Sequence, residues 1–142
     1  AVRWAPVPFS DLAESLINAV MKVLPPGRSC SVQVAPSTLM LRSDEAHHFG
    51  MLISELAANT LKHAVPFREH VTVVMEVLIS GDEVRLTYRD DGPGFPRDVL
   101  DMERHSLGFE LVRNIVRSFP GGVIAFGNAD GAVVDITFHR RS

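Results

Sequence analysis

A single cysteine, Cys30, in 142 residues excludes an internal disulfide and any cysteine-rich zinc centre. That usage fits a reducing compartment, and many other places besides. No apolar run reaches the roughly 18 to 20 residues needed to cross a bilayer, and the start lacks a basic segment followed by an apolar one. Neither a membrane span nor a signal peptide is therefore expected, although a piece cut from a larger membrane protein would read the same way. Charge of one sign is scarce too: 14 basic against 17 acidic residues leave a net of −3, too weak a field to draw in nucleic acid or an anionic membrane. No aromatic stripe accompanies a basic patch, so Trp4 and the phenylalanines are read as packing. Repeats and low-complexity tracts are missing. What remains is an ordinary globular mix, 46% hydrophobic and 22% charged, of a length that suits one domain with a proper core.

Along the chain, the first eight residues carry two prolines and read as an extended lead-in. Ser10 then looks like a helix N-cap, with Leu12, Leu16, Ile17, Val20 and Val23 as an apolar stripe before Pro25-Pro26-Gly27. Residues 31–35 and 38–42 are short and β-compatible, and Pro36-Ser37 between them suggests a hairpin. The strongest helix starts at Ser43, carries Asp44 and Glu45 in its first turn and runs to about Ala64, where Pro66 stops it. Its apolar positions Phe49, Leu52, Ile53, Leu56, Ala57 and Leu61 recur at helical spacing. Residues 71–78 and 84–89 form a second expected hairpin across Ser80-Gly81-Asp82-Glu83, and residues 96–104 are polar and short. Leu107-Gly108-Phe109 opens another helix, with Leu111, Val112, Ile115 and Val116 as its buried stripe and Gly121-Gly122 as its end. Strands at 123–126 and 132–139 close the chain. The expected class is α+β: helices on one face of a mixed, mainly antiparallel sheet.

Chemistry concentrates at Arg89-Asp90-Asp91-Gly92-Pro93-Gly94-Phe95. A carboxylate at a strand end, followed by Gly-x-Gly, offers an acceptor for an exocyclic amine beside backbone that a base or phosphates can approach. Alone this is an ordinary turn, since Asp-Gly and Pro-Gly are common turn dipeptides. Glu55, Asn59, Lys62 and His63 sit at near-helical spacing on another side of the long helix. In isolation they form a solvated polar face, and only with the glycine-rich loop do they become the wall of a cavity. Glycine-rich backbone ahead of the helix at 107 presents free amides and a positive dipole end, a seat for phosphate.

Together these segments resemble the Bergerat-fold (GHKL) ATPases, the group shared by DNA gyrase, heat-shock chaperones, MutL and histidine kinases. Glu55-Leu56-Ala57-Ala58-Asn59-Thr60-Leu61-Lys62-His63-Ala64 looks like the N box, Asp90-Asp91-Gly92-Pro93-Gly94 the G1 box, Ser106-Leu107-Gly108-Phe109-Glu110-Leu111-Val112 the G2 box, and Gly131 the final glycine element. The sequence is most similar to the ATP-binding catalytic domain of bacterial sensor histidine kinases of the HWE and HisKA_2-type branch. That resemblance implies a two-layer α/β sandwich, ATP and Mg²⁺ as ligands, and a cytoplasmic domain cut from a longer, dimeric chain. It also implies an acceptor histidine on a helical dimerisation segment elsewhere and a response regulator downstream. Asn59 would hold Mg²⁺ and Asp90 the adenine amino group. Gly92 and Gly94 would let base and lid pack, Lys62 and His63 would lie near the phosphates, and Ser106, Leu107 and Gly108 would bind the phosphate chain. Glu55 would orient the attacking imidazole. Ala132 stands where relatives often carry a threonine that helps to bind adenine, and the long lid of many histidine kinases is lacking.

Two other readings stay open. The box Glu-Leu-x-x-Asn-x-x-x-His-Ala is close to that of anti-sigma-factor serine kinases, and a phosphotransfer protein that has lost nucleotide binding would keep the same fold. His47-His48 is read as a surface or packing pair, and His70, His105 and His139 as surface residues.

Overall fold

The computed structural model describes residues 5–100 and 107–140. Trp4, His105 and Ser106 lie outside them. A five-stranded sheet is built from β2 (Ser29–Val34), β4 (His70–Ser80), β5 (Glu83–Asp90), β6 (Val123–Asn128) and β7 (Ala132–His139), in the order β2-β4-β5-β7-β6. Only the β2–β4 pair is parallel. Period-two alternation turns Val84, Leu86, Tyr88 and Asp90 of β5, with Ala132, Val134, Ile136 and Phe138 of β7, into the core, while Arg85 and Arg89 stay exposed. That buried face carries the helices α1 (Phe9–Val20), α2 (Ser43–His63) and α4 (Leu107–Ser118), with a single helical turn, α3 (Arg97–Leu100), in the loop after β5. The expected α+β arrangement is what is found.

Helix α2 buries Phe49, Leu52, Ile53, Leu56 and Ala57 against the sheet, as its periodicity predicts. Its start is fixed by Glu45, whose carboxylate accepts the Arg42 amide at 3.0 Å and an Arg140 guanidinium N–H at 2.9 Å. Its end is fixed by Pro66, which sits in a short 3-10 turn, Val65–Phe67.

Three expectations are corrected. The hairpin across Pro36-Ser37 does not form: β2 lies parallel to β4, and β3 (Met40–Leu41) pairs antiparallel with β1 (Val7–Pro8) in a separate two-stranded ribbon. Two-residue hairpins require positive φ in the turn, which proline's ring forbids, and the parallel pair instead uses α2 as its crossover. Ser10 does not cap α1. Pro8 occupies the cap position without a side-chain bond, and the Phe9 amide donates to the Leu39 carbonyl at 2.9 Å. The stripe of α1 is centred on Phe9, Ala13 and Ile17 rather than reaching Val23, which is 73% exposed because the chain tightens to 3-10 geometry at Met21–Val23.

Candidate nucleotide-binding cleft

Asp90 ends the central strand β5, and the chain turns away at Gly92. Asp90 is only 7% exposed. Oδ1 accepts the Gly92 amide at 3.0 Å and the Ala132 amide at 3.3 Å, while Oδ2 accepts the Thr60 hydroxyl at 3.0 Å. Three hydrogen bonds thus converge on this one carboxylate. The Thr60 Oγ1 lies 2.8 Å from the Tyr88 hydroxyl, and both residues are buried. Burial pushes the Tyr88 phenol well above its ordinary pKa, against the opposing Thr60 hydrogen bond, so it stays protonated. Nearby, burial and then the Asp91 and Asp90 charges raise the Cys30 thiol. Asp91 itself faces outward and accepts the Thr72 amide at 2.7 Å, tying the loop to β4.

The glycines fit where chains cross. A Cβ at Gly92 would fall 2.4 Å from the Ala64 Cβ, and one at Gly94 would fall 2.7 Å from the Asn128 Oδ1. Gly131, at φ +134°, passes directly over the Asp90 carbonyl, where a Cβ would lie 1.9 Å from the oxygen. Strand β7 can therefore begin beside Asp90 only through glycine.

Asn128, at the end of β6, clamps the loop from its other side. Its Oδ1 accepts the Phe95 amide at 2.8 Å and its Nδ2 donates to the Phe95 carbonyl at 3.1 Å. Phe95 in turn meets Phe109 and Phe126, each with ring centroids 5.7 Å away, and Phe109 meets Phe126 at 5.2 Å. His63 joins this group edge-on at 6.4 Å from Phe95. Asn128→Ala should loosen the clamp at a cost of about 1–3 kcal/mol, because two backbone groups of Phe95 lose their partner. Urea unfolding would measure it.

Asn59, Thr60, Tyr88, Asp90, Phe95 and Ala132 line one narrow cleft. The crevice is closely packed, with no room for even a water molecule, so a ligand entering it must open it. A roomier hollow of about 340 Å³ lies at the other end of α2, among Arg42, His48, Phe119 and Arg140. Its charges are matched internally, Arg42 with Asp44 and Arg140 with Glu45, and it holds none of the residues expected to act on a nucleotide.

The other expected site residues are distributed around the cleft. Glu55, one turn before Asn59, lines a groove with Leu12, His47, Met51 and Leu111 rather than the cleft itself. Lys62 is exposed. Leu107 and Gly108 open α4. The His48 Nδ1–H donates to the Asp44 carbonyl at 2.9 Å, and the ring packs edge-on to Phe119, as a packing histidine does. The sequence reading missed Thr60, Tyr88 and Asn128. Thr60 is four residues after Leu56 on the buried face of α2, and Tyr88 is two before Asp90 on the inward face of β5, so both were within reach of periodicity. Nothing local marks Asn128.

The sequence family described as "Histidine kinase-, DNA gyrase B-, and HSP90-like ATPase" matches residues 44–142. Blue-light-activated histidine kinase 2 of Erythrobacter litoralis is 30% identical over 108 residues, covering 74% of this chain and 31% of that protein. An anti-sigma F factor of Oceanobacillus iheyensis is 28% identical over 85 residues, covering 53% of this chain and 58% of that one. The chain thus spans about a third of the first relative and somewhat over half of the second. Among solved structures, the histidine kinase domain of the Erythrobacter litoralis EL346 blue-light activated histidine kinase superposes with a TM-score of 0.74 at 26% identity, over 98% of this chain and 65% of that one. The mycobacterial sensor histidine kinase MprB, 20% identical with a TM-score of 0.69 over 99% and 100% of the two chains, shares the fold. The family match takes in α2, the Asp90 loop and the Gly131 bend together, and this chain belongs to the histidine kinase-, DNA gyrase B- and HSP90-like ATPases.

Proposed function

We propose that this chain is the ATP-binding catalytic domain of a bacterial two-component sensor histidine kinase, working in the cytoplasm as part of a longer, dimeric protein. The acceptor histidine then lies on a helical dimerisation segment outside residues 1–142, and a response regulator takes the phosphoryl group onward. The observation that carries this reading is that Asn59 and Asp90 share one cleft, with the Asp90 carboxylate held in place as an acceptor of three hydrogen bonds.

Phosphoryl transfer asks a protein mainly for positioning and charge neutralisation. Asp90 is acceptor-only while ionised, so it suits the exocyclic amine of adenine and repels a carbonyl at that place. Gly92 and Gly94 bring backbone close to the base. Lys62 and His63 at the end of α2, with Ser106 and the amides of Leu107 and Gly108 ahead of α4, supply positive charge and donors for the phosphates. Glu55 orients the incoming imidazole.

Asn59 also fits a magnesium ion. Asn59 is 8% exposed beside Asp90 and its Oδ1 is a hard oxygen ligand of the kind magnesium takes, whereas its Nδ2, unpartnered among the described residues, is a donor that suits a phosphate or water oxygen rather than the metal. Magnesium favours one or two protein oxygens and fills its shell with waters and substrate phosphates. Held by the Asn59 oxygen, it would neutralise charge on the β- and γ-phosphates.

Asn59→Ala should therefore lower magnesium-dependent phosphoryl transfer on the order of tenfold or more, and magnesium-free nucleotide binding far less. Equal losses would remove Asn59 from the metal role. The reading as a whole is tested in the full-length protein with labelled ATP. A phosphohistidine is labile to acid and survives base, and its absence despite bound ATP would count against a histidine kinase. The likeness to an anti-sigma F factor favours a second reading, a serine kinase of that type, and acid-stable phosphoserine on a partner protein would select it.

A further inference from the structure

Thr60 and Tyr88 stand in a fixed relation to Asp90 that the roles above leave unused. The Thr60 hydroxyl donates its single proton to Asp90 Oδ2 across the 3.0 Å contact. The Thr60 oxygen is then free only to accept. The 2.8 Å contact with Tyr88 must run from the phenol to Thr60. The result is a one-way chain, Tyr88 O–H to Thr60 O–H to Asp90 Oδ2, among residues that are 2%, 1% and 7% exposed. In such a chain each bond polarises the next, and burial removes the competing water.

The geometry also fixes which lone pairs remain. Oδ1 is occupied by the Gly92 and Ala132 amides. Oδ2 has one bond from Thr60, which leaves this oxygen as the acceptor with room, turned into the cleft it shares with Asn59 and Phe95. Without Thr60 the carboxylate would be held at Oδ1 alone, and Oδ2 could tilt and offer a base a different angle.

We propose that Thr60, aligned by Tyr88, is a positioning residue that holds the Asp90 carboxylate in the one orientation able to take the exocyclic amine of adenine, and so sets the preference for adenine over 6-oxo purines. The inference rests on the kinase reading above for its ligand. Thr60 does not touch the base. It acts through the angle and charge of Asp90, and Tyr88 acts through Thr60.

The test is titration of the purified wild-type chain and its variants with ATP and with inosine triphosphate, which carries a carbonyl oxygen in place of the amine. Thr60→Val keeps the shape and removes the hydroxyl. It should weaken ATP binding by about five- to tenfold and inosine triphosphate binding by less than about twofold, so the ratio of affinities falls by the same factor as ATP. Thr60→Ser should restore both values. Tyr88→Phe, which leaves the Thr60 hydroxyl in place, should lower the same ratio by about two- to threefold. It keeps the test open should Thr60→Val fail to fold. Equal weakening of the two nucleotides, or an unchanged ratio in Tyr88→Phe, would show a purely structural role and overturn the inference while the kinase reading stands. A wild-type chain that binds neither nucleotide would sink both together.

Discussion

Asp90→Asn is expected to lower ATP affinity by about ten- to a hundredfold while leaving the chain folded. The substituted amide can keep its oxygen toward the Gly92 and Ala132 amides, which donate to Oδ1 at 3.0 and 3.3 Å. Its NH₂ then takes the place of Oδ2. Thr60 can adapt by accepting from that NH₂ and donating to Tyr88, since either hydroxyl can serve as donor across their 2.8 Å contact. An adenine amino group has no such freedom, because two donors would face each other in a buried site. The loss therefore falls on binding, and calorimetry beside a thermal melt separates it from unfolding. Affinity within twofold of wild type would mean that the base does not sit on Asp90.

Gly131→Ala is expected to act the other way round, on the fold first. Its Cβ would lie 1.9 Å from the Asp90 carbonyl oxygen and 2.9 Å from the Asp91 Cα, with φ at +134°. No side-chain rotation relieves a clash with backbone, so β7 must shift away from β5 at the centre of the sheet. A destabilisation of about 3–5 kcal/mol follows from strain and lost packing together. Gly27→Ala provides the comparison: φ is +80°, but nothing lies within 4 Å of the added carbon, so it should cost only about 1 kcal/mol. Urea midpoints of the two variants that moved equally would show that crowding at Asp90 is not the cause.

The long helix α2 was legible because apolar spacing sustained over 21 residues, nearly six turns, leaves little ambiguity, and β4, β5 and β7 because alternation and turn residues agreed. The Asp90 loop was legible as a site only through its company with Asn59 and Gly131, since each run taken singly is also a common turn or polar face. Chain pairing was less accessible. Residues 31–35 and 38–42 look like neighbours because they are close in sequence, yet β2 pairs with a strand that comes after an entire helix. Nothing in either strand's own residues encodes that partner. Thr60 illustrates a different gap. A threonine on the buried face of a helix announces a hidden hydrogen bond, but which group receives it depends on the register between α2 and β5, a quantity fixed only by packing. Asn128 lies beyond such reasoning, because its bond to Phe95 joins the end of β6 to a loop 33 residues earlier.

The order β2-β4-β5-β7-β6 places Asp90 on a strand bonded along both sides, while Asn128 and Phe126 belong to the outermost ribbon. Amides at the centre of such a sheet exchange with solvent only when the whole molecule opens, whereas those of a rim strand are released by smaller excursions. The base of the cleft thus has the stiffness of the molecule's most protected region, and the opposing phenylalanine wall hangs from one of its softest. A guest that must widen the gap works against the yielding side alone, and the carboxylate that reads it stays still.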